Sequence, residues 1–307
     1  MIMGFLGVGK TTAILSLLEQ KPATENWAIL VNEFGQIGMD GTLFKAHGIS
    51  VKEIPGGCLC CAVGLPFQVA VNRLLSEVRP DRLLIEPTGL GHPKRTIDML
   101  TEGPFQSVID LRASICLVDP SKLKESRYTS HESFVDQIAL ADVVVANKMD
   151  ITSAHSIKLF NNWISQSNPT KTVSAQTTQG QLDINWLNLP RNPNRHPAFP
   201  KAHSHQSRNN VNTTGYKSFS HIFSEQSLFN YGNLSTLLSE LKVERVKGIF
   251  STDEGWFIFN AVDGNTTINS SLPSTTSKVE IIDSKPIQTA LLDLFKRCLI
   301  KRPSSAL

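Results

Sequence analysis

The feature that most constrains the fold of this chain is a glycine-rich stretch near its start, residues 4–12, with the sequence Gly-Phe-Leu-Gly-Val-Gly-Lys-Thr-Thr. It fits the phosphate-loop pattern of a glycine, four residues, a second glycine, a lysine and a serine or threonine. Glycines allow the backbone to turn its N–H groups inward at the start of a helix, where they bind anions. The stretch therefore predicts a nucleotide-binding α/β fold, and a plain glycine-rich turn between a strand and a helix is the alternative.

Each residue type in this loop has an expected role. Lys10 is expected to reach the β- and γ-phosphates, and the Thr11 hydroxyl is expected to bind Mg²⁺. The other predicted phosphate-binding positions are Gly4, Gly7, Val8, Gly9 and Thr12. Residues 1–3 alone precede the loop, whereas strands average about five or six residues. We expect either an unusually short first strand or a chain that begins upstream of this sequence.

Apolar runs alternate with helical segments over the first half of the chain. They predict strands at 27–32, 49–54, 82–86, 114–119 and 143–148, with a helix at 65–78. Continuous apolar runs are typical of strands that are buried on both faces. Because strands and helices alternate, we predict a mostly parallel sheet of the P-loop class, with its chemistry at the carboxyl ends of the strands.

The composition changes near residue 188. Residues 188–212 contain prolines, asparagines, arginines and histidines with little apolar periodicity, which predicts a linker or a long surface loop. Beyond it the pattern predicts a smaller α+β domain. Its expected strands are 216–223, 244–250, 255–261 and 279–282, and its expected helices are 234–241 and 287–300. We therefore predict a nucleotide-binding domain at 1–187, a linker at 188–212 and a C-terminal domain at 213–307.

The overall composition excludes several classes of function. Hydrophobic residues make up 40% of the chain and charged residues 19%, which is ordinary for a globular protein. The net charge is +3 without basic clustering, which argues against a nucleic-acid partner. No apolar run reaches the roughly 20 residues that a membrane span requires, and no secretory leader is visible. We expect a cytoplasmic protein with neither a nucleic-acid nor a membrane partner.

A second motif, Asn147-Lys148-Met149-Asp150, follows the predicted strand at 143–148. Asp150 can accept hydrogen bonds from the ring N–H and the exocyclic amine of guanine. Adenine lacks that pairing and would leave the carboxylate unsatisfied, at a cost of about 1–3 kcal/mol. Ser174 and Ala175 follow at a usual place for a backbone contact to the base. The motif favours GTP over ATP, and a surface turn is the alternative.

A third motif, Glu86-Pro87-Thr88-Gly89, ends the predicted strand at 82–86. Glu86 is a candidate to hold Mg²⁺ through water, and the Gly89 N–H is a candidate to contact the γ-phosphate. The alternative is a strand that simply ends in a proline turn.

Three of the five cysteines crowd into one segment, at Cys58, Cys60 and Cys61. Thiolates are soft ligands that suit Zn²⁺. Three of them within four residues favour an open or shared site, which can release its metal, over a closed tetrahedral one. A redox pair and a cysteine-rich turn are the alternatives.

Two further candidate ligands lie elsewhere. Glu33 follows the predicted strand at 27–32 and is either an additional metal ligand, a Mg²⁺ contact or a solvated carboxylate. His203 and His205 have the spacing of an auxiliary metal site, although histidines in polar loops are usually solvated.

Together these motifs resemble the CobW family of P-loop GTPases, also described as zinc-regulated GTPase metalloprotein activators or metallochaperones. The phosphate loop, Asn-Glu-Phe-Gly at 32–35, Gly-Gly-Cys-x-Cys-Cys at 56–61, Glu-x-Thr-Gly at 86–89 and Asn-Lys-x-Asp at 147–150 occur in the family's order. Glu-Arg-Val-Lys-Gly at 244–248 also looks like the family's C-terminal domain. The run 87–93 makes the sequence similar to the YeiR-type branch of zinc-binding GTPases.

The resemblance implies a GTPase with slow intrinsic turnover that uses GTP, Mg²⁺ and Zn²⁺. It implies that Cys58, Cys60 and Cys61 bind metal and that the partner is a client metalloprotein, with a homo-oligomer as a further expectation. Gln36 stands where many members carry glutamate, which weakens the case for a metal ligand at this position. Two alternatives stay open: a zinc storage or buffering protein with a structural nucleotide, and a redox-regulated GTPase.

Overall fold

The computed structural model describes residues 1–34, 49–56, 65–89, 93–167, 170–199, 217–262, 265–271, 273–285 and 290–300. The described chain forms two compact units, one from residues within 1–34 and 49–199 and the other from residues within 217–300. None of the helices in these ranges is long and apolar enough to cross a lipid bilayer.

The first unit alternates strands and helices. Its strands are β1 (Ile2–Gly4), β2 (Trp27–Phe34), β3 (Ser50–Gly56), β4 (Arg82–Glu86), β5 (Ile115–Val118), β6 (Val143–Ala146) and β7 (Val173–Gln176). Its α-helices are α1 (Lys10–Glu19), α2 (Leu65–Arg73), α3 (Pro93–Thr101), α4 (Ser126–Thr129), α5 (Glu132–Leu140) and α6 (Ala154–Ser165). A π-helical turn (Leu74–Val78) continues α2, and short 3₁₀ helices span Gly103–Phe105, Pro120–Lys122 and Ile184–Asn188.

Every strand of this unit pairs in parallel. One sheet has the order β1-β5-β6-β7 and the other the order β3-β2-β4. Cα atoms of β1 and β4 approach within 8 Å, so the two sheets adjoin. Every residue of β1, β5 and β6 is buried, as continuous apolar strands require. The predicted parallel α/β fold is confirmed, and the carboxyl ends of its strands carry the three motifs.

The predicted strand bounds agree closely with the structure. The expected strand at 82–86 coincides with β4, and the other four predicted strands of this unit end within two residues of the observed ones. The expected helix at 65–78 is α-helical only to Arg73. The sequence analysis does not predict β7, because its residues alternate between half-buried and exposed and form no apolar run.

Residues 188–199 pack on the first unit, although their composition predicts a linker. The buried carboxylate of Asp142 accepts a hydrogen bond from Asn192 N at 3.1 Å and pairs with Arg195 Nε at 2.8 Å. Arg195 is only 2% exposed. Hydrogen bonds and one buried ion pair, not apolar side chains, anchor this segment. Its sequence therefore shows no apolar periodicity. Residues 200–212 lie outside the described chain, and the domain boundaries stay predictions.

The second unit is a mixed sheet with two helices. Its strands are β8 (Lys217–Ile222), β9 (Leu228–Phe229), β10 (Arg245–Thr252), β11 (Gly255–Val262), β12 (Asn265–Ser270), β13 (Lys278–Asp283) and β14 (Leu299–Ile300), and its helices are α7 (Tyr231–Glu240) and α8 (Ala290–Arg297). Strands β12-β11-β10-β13-β8 pair antiparallel in that order, and β9 pairs parallel with β10. One face packs on an aromatic core that contains Phe223, Phe229, Phe250, Phe259 and Phe295. The predicted α+β character is confirmed.

Candidate nucleotide site

The phosphate loop connects β1 to α1 and depends on glycine at two positions. Gly4 has φ 148° and Gly9 has φ 97°, values that side-chain-bearing residues rarely adopt. Space is also lacking, because a Cβ on Gly4 would lie 2.6 Å from Val8 Cγ2 and a Cβ on Gly9 would lie 2.5 Å from Asn147 Nδ2. The fold therefore builds the curled backbone that the motif requires.

Lys10 opens α1 and lies against its own loop. Its side chain is 7% exposed, and its Nζ donates to Phe5 O at 3.3 Å. A buried ammonium beside a ring of backbone groups suits a polyphosphate anion. Thr11 is half-buried and Thr12 is exposed at the same helix end.

The Glu86–Gly89 segment lies directly against the phosphate loop. Glu86 is 5% exposed at the carboxyl end of β4. A Cβ on Gly89 would lie 3.1 Å from Leu6 N and 3.2 Å from Lys10 Nζ, so the Gly89 backbone packs closely against the loop and a larger residue would be in tight contact with it. The sequence analysis missed Gln137 of α5, whose Nε2 donates to Gly89 O at 2.9 Å. This bond fixes the Gly89 peptide beside the loop.

Asn147 braces the loop from the end of β6. Its Nδ2 donates to Val8 O at 2.9 Å, and its Oδ1 accepts from Gly180 N at 3.0 Å. The side chain is 2% exposed, so it joins three separate segments inside the unit. The motif predicts a nucleotide contact here, which stays a prediction, and the bracing role was not predicted.

Gly180 is a further residue that the sequence analysis missed. Its φ is 68°, and a Cβ there would lie 2.7 Å from Ala13 N. The turn that follows β7 therefore packs on the first turn of α1. A glycine in the polar turn that follows Ser174-Ala175, five residues after Ala175, is the signal that could have indicated this close approach.

The remaining residues of the base motif lie beside this turn. Lys148 has φ 62°, and its Nζ pairs with Asp119 Oδ2 at 3.0 Å. Asp150 Oδ2 is exposed and accepts from Gln179 Nε2 at 3.0 Å. Ser174 and Ala175 lie in β7, where they pair with Val144 and Val145 of β6.

Strand register bears on the predicted metal site. Glu33 of β2 pairs with Pro55 of β3, three residues before Cys58. Cys58, Cys60, Cys61, Gln36, His203 and His205 lie outside the described residues. Within the described chain, no group of three or more His, Cys, Asp or Glu side chains forms a metal-binding cluster.

The two described cysteines are buried in the cores of the units. Cys116 of β5 is 1% exposed, and Cys298 beyond α8 is 6% exposed. Burial raises the pKa of the Cys116 thiol to about 12, so it remains a neutral thiol.

A loop of this geometry after β1, an acidic residue at the end of β4 and Asn-Lys-x-Asp after β6 define the class of P-loop nucleotide-binding proteins. A family model described as CobW/HypB/UreG, nucleotide-binding domain, matches residues 1–175. The chain belongs to this family of P-loop GTPases, and the resemblance is confirmed.

Individual relatives are similar over different lengths. The chain is 40% identical over 318 residues to the zinc chaperone YeiR of Escherichia coli strain K12. This match covers 96% of the present chain and 97% of YeiR. It is 29% identical over 209 residues to the zinc chaperone CobW of Sinorhizobium sp, with 59% of each chain covered. The solved structure of the Zn(II)-bound YjiA GTPase from E. coli is 19% identical, covers 97% of both chains and has a TM-score of 0.44.

Proposed function

We propose that this protein is a zinc chaperone in which GTP binding and hydrolysis control the transfer of zinc to a client metalloprotein. The observation that carries the proposal is the register of two neighbouring strands. Glu33 of β2 pairs with Pro55 of β3, so the carboxyl ends of these two strands lie at the same edge of the sheet, and β3 ends two residues before Cys58. This is the edge where parallel strands deliver their chemistry. The 40% identity to a zinc chaperone over nearly the whole chain supports the proposal.

The proposed nucleotide is GTP. Gly4, Gly7, Val8, Gly9 and Thr12 would surround the phosphates with backbone N–H groups. Asp150 would accept the two donors of guanine, and its exposed carboxylate is free of any lysine or arginine ion pair among those found in the described chain. The bracing of the loop by Asn147 would preserve this geometry between turnovers.

The proposed hydrolysis relies on electrostatic stabilisation. Lys10 would neutralise charge on the β- and γ-phosphates, and the Gly89 N–H would donate to the γ-phosphate. Thr11 and Glu86 would hold Mg²⁺, which would supply further positive charge at the phosphates. Gln137 would keep the Gly89 peptide near the loop through its bond to Gly89 O. We expect slow intrinsic turnover.

Zinc in this proposal is the cargo. Cys58, Cys60 and Cys61 would bind it as thiolates, with Glu33 as a candidate further ligand. Three clustered thiolates leave a coordination position open to a client's ligand, which makes release possible. The nucleotide state would change the conformation of these segments and therefore the zinc affinity.

The test is a competition titration of Zn²⁺ against a chelator, with the protein apo, with Mg-GDP and with a non-hydrolysable GTP analogue. We expect zinc affinity to differ by about 5–150-fold between nucleotide states, and zinc must change GTP affinity by the same factor. Replacing Cys58, Cys60 and Cys61 by serine should abolish binding. The matched control is Cys298→Ser, because Cys298 is buried in the second unit.

The outcomes separate the three candidate functions. Equal zinc affinity in all nucleotide states would contradict the chaperone mechanism and leave zinc storage. GTP hydrolysis that responds to oxidation of the cysteines, without tight zinc binding, would favour the redox-regulated GTPase.

A further inference from the structure

Lys148 adopts a backbone conformation that lysine rarely adopts. Its φ is 62°, in the left-handed region. Such strain costs free energy and persists only where the surroundings over-determine the residue, which happens most often at functional sites. Lys148 is also the residue between the bracing Asn147 and the base-reading segment that ends at Asp150.

Contacts on both sides of Lys148 hold it in place. Its carbonyl accepts from Thr152 Oγ1 at 2.6 Å and from Ile151 N at 3.1 Å. Its Nζ lies 3.0 Å from Asp119 Oδ2, on a neighbouring segment that follows β5. The Asp119 side chain is 7% exposed and that of Lys148 is 28% exposed. A charge-assisted contact between side chains as buried as these restrains the lysine more than a surface ion pair would.

Asp119 has two functions, which use different oxygens. Its Oδ1 accepts from Ser121 N at 3.0 Å and from Ser121 Oγ at 2.6 Å, and so caps the 3₁₀ helix Pro120–Lys122. Its Oδ2 is left for Lys148. An asparagine at this position would keep a carbonyl oxygen for the cap and lose the negative charge that faces the lysine. The two functions can therefore be separated by one substitution.

We propose that Asp119 is a positioning residue for recognition of the guanine base. It fixes the Lys148 side chain and the left-handed turn in advance, so that Asp150, two residues further on, is presented to the base in one orientation. Restraining a long, rotamer-rich side chain before binding removes an entropic cost from the binding step. The inference rests on the proposed GTP-binding function and deepens it.

The test measures the GDP affinity of the full chain and of Asp119→Asn. We expect the substitution to weaken GDP binding about tenfold, the effect of leaving one such side chain to be ordered on binding. The turnover number at saturating GTP should be unchanged. The matched control is Asp183→Asn. Asp183 Oδ1 caps another 3₁₀ helix by accepting from Asn185 N at 2.9 Å, in an exposed setting without a lysine contact among the described residues.

A second background shows whether Asp119 acts through the lysine. In Lys148→Met the ammonium is absent, so Asp119→Asn should change GDP affinity by less than about twofold there. An equal loss in both backgrounds, or unchanged affinity of Asp119→Asn, would overturn the inference. A wild-type chain that binds ADP as tightly as GDP would instead overturn the proposed function, and the two failures are therefore distinguishable.

Discussion

Replacing Asn147 by alanine tests how the phosphate loop is supported. The substitution removes two buried hydrogen bonds, one to Val8 O at 2.9 Å and one from Gly180 N at 3.0 Å. These bonds join the loop, the end of β6 and the turn after β7. We expect the first unit to lose stability and the loop to bind GTP more weakly.

The magnitude follows from the groups that lose their partner. Leaving one buried backbone group unsatisfied costs about 1–3 kcal/mol, so two cost about 2–6 kcal/mol. Water that enters the space left by the amide would satisfy part of this loss. We therefore expect the free energy of unfolding of the first unit to fall by about 2–4 kcal/mol.

Tryptophan fluorescence in urea can follow this unit alone. Three of the four tryptophans (Trp27, Trp163 and Trp186) lie in the first unit, and Trp256 lies in the second. In a Trp256→Phe background the signal reports the first unit. The matched control is Asn161→Ala, which removes an exposed bond from Gln176 Nε2 at 2.9 Å and should change stability by less than about 0.5 kcal/mol. A loss for Asn147→Ala no larger than that of the control would refute the reasoning.

Three further predictions concern charge. Lys10→Ala should abolish GTP hydrolysis and greatly weaken GTP binding in folded protein, because it removes the cation at the phosphates; a wild-type hydrolysis rate would contradict this. Asp150→Asn should relax the preference for guanine, since one acceptor oxygen becomes a donor, and unchanged selectivity for GTP over xanthosine triphosphate would argue against it. Burial, with a smaller effect of Arg195, lowers the pKa of Lys171 from 10.5 to about 8. The unfolded chain therefore binds more protons between these pH values, and the wild type should gain stability relative to Lys171→Met as pH rises from about 8 to about 10. Urea titrations at both pH values measure this, and a stability difference independent of pH would contradict it.

The elements predicted best are those whose signal is local. The apolar runs at 82–86 and 143–148 are recognisable as strands because a strand that is buried on both faces needs apolar residues at successive positions, with no alternation of polar and apolar residues. The three motifs were predicted to lie at strand ends, and the structure places the described ones there. A parallel sheet brings those ends to one edge, so proximity of Glu86, Lys10 and Asn147 follows from topology alone.

The contacts that could not be predicted depend on tertiary register. The sequence alone does not distinguish Asp119 from the other acidic residues of the chain. Its pairing with Lys148 depends on β5 and β6 being neighbours in the sheet. Gln137 lies on a helix whose orientation the sequence does not specify, yet its amide reaches Gly89 O. The burial of Arg195 could not be predicted, because the residue lies in a polar stretch and its ion-pair partner, Asp142, is distant in the sequence. Side chains that bond to backbone groups leave no periodicity to detect.

Contacts from several parts of the first unit converge on the phosphate loop. β1, which leads into the loop, pairs in parallel with β5. Asn147 holds the loop at Val8, and Gln137 donates to Gly89, which lies against the loop. The turn at Gly180 closes on the first turn of α1. Because these supports come from the end of β6, from helix α5 and from the turn after β7, a displacement of the β6 end or of that turn would reach the loop or its helix through one contact. The loop's geometry thus depends on the edge of the sheet as a whole, which is the arrangement that coupling between nucleotide and metal segments would need.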